Sequence, residues 1–345
     1  DLRLDISRLT QRSYLMPATE RGAQGWLFID SATATVSDGF PTRLDATSGR
    51  TSAALSSRWY LDTHTVSAGV EYRDNFVDQK RFEYGSITSF GDGGYLEFVI
   101  TMPGELHNRV PSAWLQDSWR LNARWRLNAG LRWDGQYLKS PDGSTALSIT
   151  DQYQPRVGVV FQPGAPGTQR VTATFGRYYH DLALYGSTLY HNPDSSWDLY
   201  WYDHDPRLDP TGGVQIIPPA FITDSTVDLE GQHYDEFTLG YQRLIGSDVN
   251  VEVRGVYRDL GQAIEDGATA DGYVLGNPGR GLLADFPEAR REYKALVFSG
   301  TGRLSSSFEV RASYVLSRTE GNYAGLFQSD LAIPFPVNGA FDYLD

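Results

Sequence analysis

Apolar and polar residues alternate with period two over long runs of the chain. From Arg124 the odd positions read Trp125, Leu127, Ala129, Leu131 and Trp133, and between them lie Arg126, Asn128, Gly130, Arg132 and Asp134. The pattern recurs as Val249, Val251, Val253, Gly255, Tyr257, as Phe308, Val310, Ala312, Tyr314, Leu316, and as Val66, Ala68, Val70, Tyr72. Shorter examples are Phe237, Leu239, Tyr241 and Val171, Ala173, Phe175. Successive side chains of a strand point to opposite faces, so each run predicts a strand with one apolar face and one face of charged and small polar groups. No long segment favours the helical period.

The runs come in pairs joined by brief gaps rich in Gly, Pro, Asn, Asp and Ser: Leu61 to His64, Leu121 to Arg124, Gln162 to Thr168, Leu244 to Asp248, and Leu304 to Ser307. Those are hairpin turns. Between pairs the connections are longer, covering Thr35 to Ser48, Asn75 to Pro111, Lys139 to Gln152, His180 to His233, and Leu260 to Ala289. In an up-and-down sheet, alternate connections lie at one end. One end is therefore trimmed and the other elaborated, as in transmembrane barrels with short periplasmic turns and long extracellular loops.

Periodicity does not say whether the apolar face meets lipid or a core, since a lipocalin-like soluble barrel alternates in the same way. Three features favour lipid. Several strands reach ten residues, beyond the usual five or six. Trp125 and Trp133 bracket one apolar stripe, about 26 Å apart along a strand, which becomes roughly 20 Å of height after a tilt of ~40°. The opposite face carries Arg and Glu among Gly and Ser, as a wet lumen would.

Composition narrows the classes further. The chain has 345 residues, mean hydropathy −0.39, and no Cys. Without cysteine there is no disulfide scaffold, thiolate metal site or cysteine nucleophile. No uncharged apolar run approaches the ~18 to 20 residues of a spanning helix. A net charge of −13 argues against general nucleic-acid binding, and 21 Tyr, 16 Phe and 8 Trp argue against disorder.

The hairpin Ser112 to Asp134, SAWLQDSWRLNARWRLNAGLRWD, resembles a barrel hairpin of TonB-dependent outer-membrane transporters, with its QDxW and LxxGxRxD spacing. PRVGVVFQPG from Pro155, RVTATFGRYYH from Arg170, DEFTLGYQR from Asp235 and the stretch from Arg291 to Gly325 follow in the expected order. Together they resemble the Oar-like branch over about Thr63 to Gly325. The resemblance implies an all-β, antiparallel up-and-down transmembrane barrel of 22 strands around an N-terminal plug. About twelve strands are legible here, including weak ones near Asp1–Thr10 and Ala23–Ala34. Residues 1–345 are thus expected to form part of one barrel domain, with plug, signal peptide and closing C-terminal strands outside this chain.

The expected chemistry is sparse. His180 to His233 and Asp259 to Ala289 between them carry acidic residues in excess of basic ones equal to the whole net charge of −13. They read as a solvated surface or as an acidic mouth for cationic solutes. Within the first, Trp197, Asp198, Tyr200, Trp201, Tyr202, Asp203 and Asp205 form a candidate extracellular ligand-binding loop, because aromatic faces stack on rings and carboxylates bind hydroxyls or amines. The other reading is a self-packed cluster or an aromatic belt. Asp203, Asp205 and Asp209 lack EF-hand spacing, so no metal site is expected. The six His form no HExxH, and there is no P-loop or G-x-S-x-G, so neither an enzyme nor a cofactor is expected. Lumen charges such as Arg126, Arg132, Glu252, Arg254, Glu309 and Arg311 are expected to pair across strands or dock the plug.

The resemblance implies a bacterial outer-membrane transporter taking up a bulky scarce solute, with energy from a TonB-type inner-membrane partner acting on the plug. Lipid and lipopolysaccharide would be its other partners. An outer-membrane porin or export and adhesion barrel is the alternative, and a secreted soluble β protein that binds glycans is a third reading.

Overall fold

The computed structural model describes residues 1–15, 26–37, 42–182, 184, 195–216, 229–269, 272–305 and 307–323. Among these, eleven long strands form one antiparallel wall: β1 (Leu2–Leu15), β4 (Thr42–Leu61), β5 (His64–Ser89), β7 (Gly104–Arg120), β8 (Trp125–Lys139), β9 (Thr145–Phe161), β10 (Gln169–Tyr179), β13 (His233–Ile245), β14 (Val249–Gln262), β17 (Arg291–Ser305) and β18 (Phe308–Gly321). Every wall neighbour follows in chain order, as a meander requires. The short strands β2 (Leu27–Asp30), β3 (Thr35–Ser37), β6 (Tyr95–Thr101), β11 (Ser196–Tyr202) and β12 (Val214–Gln215) join the same sheet around the far end of β5. A separate hairpin pairs β15 (Glu265–Thr269) with β16 (Gly272–Gly276).

Each of the five expected hairpin gaps falls between two consecutive wall strands. The opposite end differs from expectation. Most of Asn75 to Pro111 is strand, because β5 runs on for 26 residues and β6 folds back along its upper end. Likewise β8 and β9 converge to a turn at residues 140–144, where Gly143 takes a positive φ of 82°. These stretches lack clean alternation because above the membrane both faces meet water, protein or loops, which removes the period-two signal.

The outer face carries an apolar band of constant width. One row of directly paired residues runs Trp125, Phe161, Val171, Tyr241, Val253, Phe298, Tyr314 across seven strands. The next runs Leu127, Val159, Ala173, Leu239, Gly255, Leu296, Leu316. On β8 the band extends from Trp125 to Trp133 and then ends; on β18 it extends from Phe308 to Leu316, above which stand Arg318 and Glu320. Both limits fall by six residues between the two strands, since Leu316 shares a row with Leu127 and Tyr314 with Trp125. Six residues of rise are about 20 Å and six strand spacings about 29 Å, a slope of about 35°. Strands of membrane barrels tilt by ~35–45°, so a band that slopes across the strands at this angle lies level in a bilayer. Eight residues at that tilt give a height of roughly 22 Å, close to the ~25 Å hydrophobic belt. Leu239, Leu296 and Leu316 within it remain largely exposed.

The inner face is layered. A belt of small side chains crosses the wall as Gly158, Thr174, Thr238, Val256, Ala295 and Ser317, each paired to the next. Above it Arg132 bridges Glu71 at 2.9 Å and Asp134 at 2.8 Å. Higher still, Val77, Leu106, Leu138, Leu147 and Ile149 pack with Leu182, Ile264 and Leu275 from the long connections. Two connections read as solvated from composition thus place apolar residues in a core against the upper inner wall.

Candidate functional site

The aromatic and acidic stretch after residue 195 is a strand, not a loose loop. Aromatic and β-prone residues there pair with β6, placing Trp197 opposite Ile100, Asp198 opposite Val99, Tyr200 opposite Glu97, Trp201 opposite Leu96 and Tyr202 opposite Tyr95. Strand alternation then divides the candidates. Leu199 and Trp201 share one face of this upper sheet; Asp198, Tyr200 and Tyr202 share the other. Asp203 and Asp205 follow in the turn beyond the strand.

Trp201 stacks on Phe90 with ring centroids 5.7 Å apart. Its ring lies so close over Gly94 that a Cβ there would be 2.2 Å away. Tyr202 is 5% exposed and donates its hydroxyl to Glu97 Oε2 at 3.0 Å. Burial, and then the adjacent carboxylate, push that hydroxyl's pKa up to about 12. Asp198 accepts from Ser196 Oγ at 3.0 Å and Gln215 Nε2 at 3.1 Å.

Each acid of the turn has its own partner. Asp203 meets His204 Nδ1 at 2.7 Å, which lowers the carboxyl pKa and raises the imidazole's. His204 Nε2 faces the Asp209 carbonyl at 3.1 Å, so a doubly protonated ring satisfies both oxygens. Asp205 takes both Nε and Nη2 of Arg207, which hold it below the ordinary carboxyl range, and that guanidinium lies over the Phe28 ring at 3.4 Å. Asp209 accepts from Thr211. The three carboxylates therefore do not converge, and no metal-binding group of His, Asp and Glu occurs among the described residues. Asp194, Asp224, Asp228 and His191 lie outside the described residues.

The face left for recognition holds Tyr95, Glu97, Asp198 and Tyr200, with Gln215 from β12 alongside. All are partly accessible or exposed. Hydroxyls and carboxylates beside aromatic planes can bind a polar, ring-containing solute. Sequence periodicity gave no means of separating this face from Trp201, because the pairing with β6 spans about a hundred residues of chain.

A second feature escaped sequence reasoning altogether. The chain leaving β10 turns back onto the inner wall, where Asp181 accepts from Arg73 at 3.1 Å, Asn75 at 3.2 Å and Arg50 at 3.4 Å. Gln136 donates to the His180 carbonyl at 3.0 Å and accepts from the Leu182 N–H at 2.6 Å. Leu182 then enters the apolar cluster with Leu138 and Ile149. Residues 180–182 form a strap over the upper lumen. A lone Asp after a strand carries no sequence signal of this kind.

No family model matches the chain. In sequence it is similar to the TonB-dependent transporter Oar of Myxococcus xanthus, with 27% identity over 331 residues, covering 78% of this chain and 31% of the relative. The chain thus spans about a third of that relative's length. In structure it is similar to the outer membrane transporter YddB from Escherichia coli, at 14% identity and a TM-score of 0.50, covering 92% of this chain and 40% of that one. It is also similar to the FpvAI–pyocin S2 complex, at 12% identity and a TM-score of 0.54, covering 93% and 39%. The resemblance to Oar-type TonB-dependent transporters holds, and the fold is that of an outer-membrane β-barrel wall. Its place is the bacterial outer membrane.

Proposed function

We propose that this chain supplies barrel wall and solute-capturing surface to a TonB-dependent outer-membrane transporter, and that it has no catalytic role. The level apolar band on the outer face carries this reading, because only a wall immersed in a bilayer needs apolar side chains such as Leu131, Val157, Leu239, Leu296 and Leu316 exposed on strand after strand. Kinship with a TonB-dependent transporter supports energy-coupled uptake through a partner in the inner membrane. The upper sheet, with Tyr95, Glu97, Asp198 and Tyr200, lies at the elaborated end, where a solute arrives first.

The test is uptake by cells expressing the full-length protein. Uptake that saturates and stops when the proton-motive force is dissipated supports the transporter. Passive flux unaffected by the uncoupler would identify a porin instead, and recovery of native protein without detergent would defeat both membrane readings.

A further inference from the structure

The carboxylate of Asp181 is gripped by donors from two neighbouring strands, β4 and β5. Arg73 Nη2 donates to Oδ1 at 3.1 Å, while Asn75 Nδ2 and Arg50 Nη2 donate to Oδ2 at 3.2 and 3.4 Å. Arg50 and Asn75 are directly paired, and Arg50 Nε donates to Asn75 Oδ1 at 2.6 Å, which fixes the direction of its guanidinium. Both cations lean on this one acid. Arg50 meets no other carboxylate among the described residues. The next acid to Arg73 is Asp134, 4.0 Å away and already bonded to Arg132 and Gln154. Arg73 Nε is buried and has no partner among the described residues. Beside the carboxylate lies a cavity of about 540 Å³, lined by Arg50, Asn75 and Asp181 together with the apolar Leu9, Val77 and Leu182.

Two guanidinium groups and an amide converging on one carboxylate form an oxyanion cradle, and such a donor set suits any carboxylate that reaches it. Its occupant does not belong to the wall. Asp181 arrives with the strap, which is otherwise held by the Gln136 side chain and by the burial of Leu182. Arg50 is 49% exposed, so the cradle can be reached from the cavity while Asp181 is still in place.

We propose that a carboxylate of the captured solute takes the place of Asp181 in this cradle, and that the exchange frees the strap from the upper lumen. Asp181 is then a tethered stand-in for the ligand. Withdrawing it with nothing in its place strands two guanidinium groups, one of them mostly buried, and that is unfavourable. Exchanging one carboxylate for another keeps the charge and the hydrogen bonds, so the strap opens with the ligand and not ahead of it. The apolar side of the cavity receives the carbon skeleton beside the acid group. A tethered competitor acts at an effective concentration of about millimolar or above, so a lone carboxylate binds weakly and the solute's other contacts must add to it. The proposal rests on the reading of this chain as part of a solute transporter, and it names one group the solute carries.

The experiment uses the full-length protein in detergent, with acetate as the probe carboxylate. Acetate replaces chloride at a constant ionic strength of about 0.2 M, so that screening does not change. In the native protein, proteolytic cleavage near residue 182 should accelerate several-fold as acetate rises, and then saturate. In Asp181→Ala the cradle is empty and cleavage is fast from the outset. Acetate should there raise the unfolding temperature instead, with a half-effect concentration about tenfold below that for strap release in the native protein. Adding Arg50→Gln to that variant should abolish the rescue. Native cleavage that acetate speeds no more than chloride overturns the proposal, whether or not the variants assemble. Rescue of Asp181→Ala by chloride overturns it too, as does strap release by inorganic phosphate but not by acetate. Failure of the transport reading is seen separately, as acetate-driven release in a protein whose solute uptake ignores the uncoupler.

Discussion

Asp181 and Arg73 are 108 residues apart in the chain, and their side chains meet at 3.1 Å. The contact ties the segment after β10 to the inner face of β5 and gives the upper lumen a floor that loop composition does not suggest. Arg73 is mostly buried, so its partner cannot be replaced by bulk water.

Replacing Asp181 by Ala should release the strap and leave Arg73 with only the more distant Asp134, at 4.0 Å, as a carboxylate partner. A loss of about 1 to 3 kcal/mol is expected in reversible unfolding from lipid vesicles, the usual cost of stranding a partly buried polar partner. Limited proteolysis should then cut near residue 182 faster than in the native protein. Unchanged cleavage would show that the clamp does not hold the segment.

The outer band predicts where charge is tolerated. Leu239 lies in the row of Leu127, near mid-height of the band on β13, so Leu239→Arg should destabilise by ~2 to 4 kcal/mol. Gln242 on the inner face of the same strand should accept Arg at well under ~1 kcal/mol. Vesicle unfolding of the two variants compares the faces directly, and equal penalties would reverse their assignment.

Gly94 is held free of side chain by Trp201. Its Cβ would sit 2.2 Å from that ring, and Phe90 backs the ring on the other side. Gly94→Val should push Trp201 off its stack at a cost of about 1 to 3 kcal/mol. Collisional quenching of tryptophan emission should rise in the variant. No change would mean that the upper sheet yields without moving the ring.

Tyr202 supplies a pH signature. Its folded pKa, about 12, exceeds the ordinary tyrosine value of 10.0. The folded protein therefore holds this proton more tightly than the unfolded chain. The resulting stability is intact below pH ~10 and is lost as pH rises through ~12, a decline of about 2 to 3 kcal/mol. In difference titrations at the tyrosinate absorbance, the signal removed by Tyr202→Phe should be one that titrates above the ordinary tyrosine range. Glu97→Gln should bring it earlier, because the neighbouring negative charge is gone.

Capture is expected on the face of Tyr200, not of Trp201. Replacing Tyr200 and Asp198 by Ala should weaken solute binding at the cell surface by about an order of magnitude, since a stacked aromatic contributes ~0.5–1.5 kcal/mol beyond its burial. Trp201→Ala should act chiefly on stability. A variant pair with equal uptake at matched surface abundance would remove this strand from recognition.

The alternation of residues such as Leu127, Ala129 and Leu131 was enough, by itself, to determine strand identity, hairpin positions and the apolar face, because those depend on neighbours two residues apart and on turn chemistry. The family resemblance came from the same local patterns. Tertiary structure decided what depends on register between distant strands. It set the slope that levels the band, the pairing of β11 with β6 that separates Tyr200 from Trp201, and the Asp181 clamp. Cross-strand contacts join residues tens to more than a hundred positions apart, and no short-range pattern in the chain encodes which of them will meet.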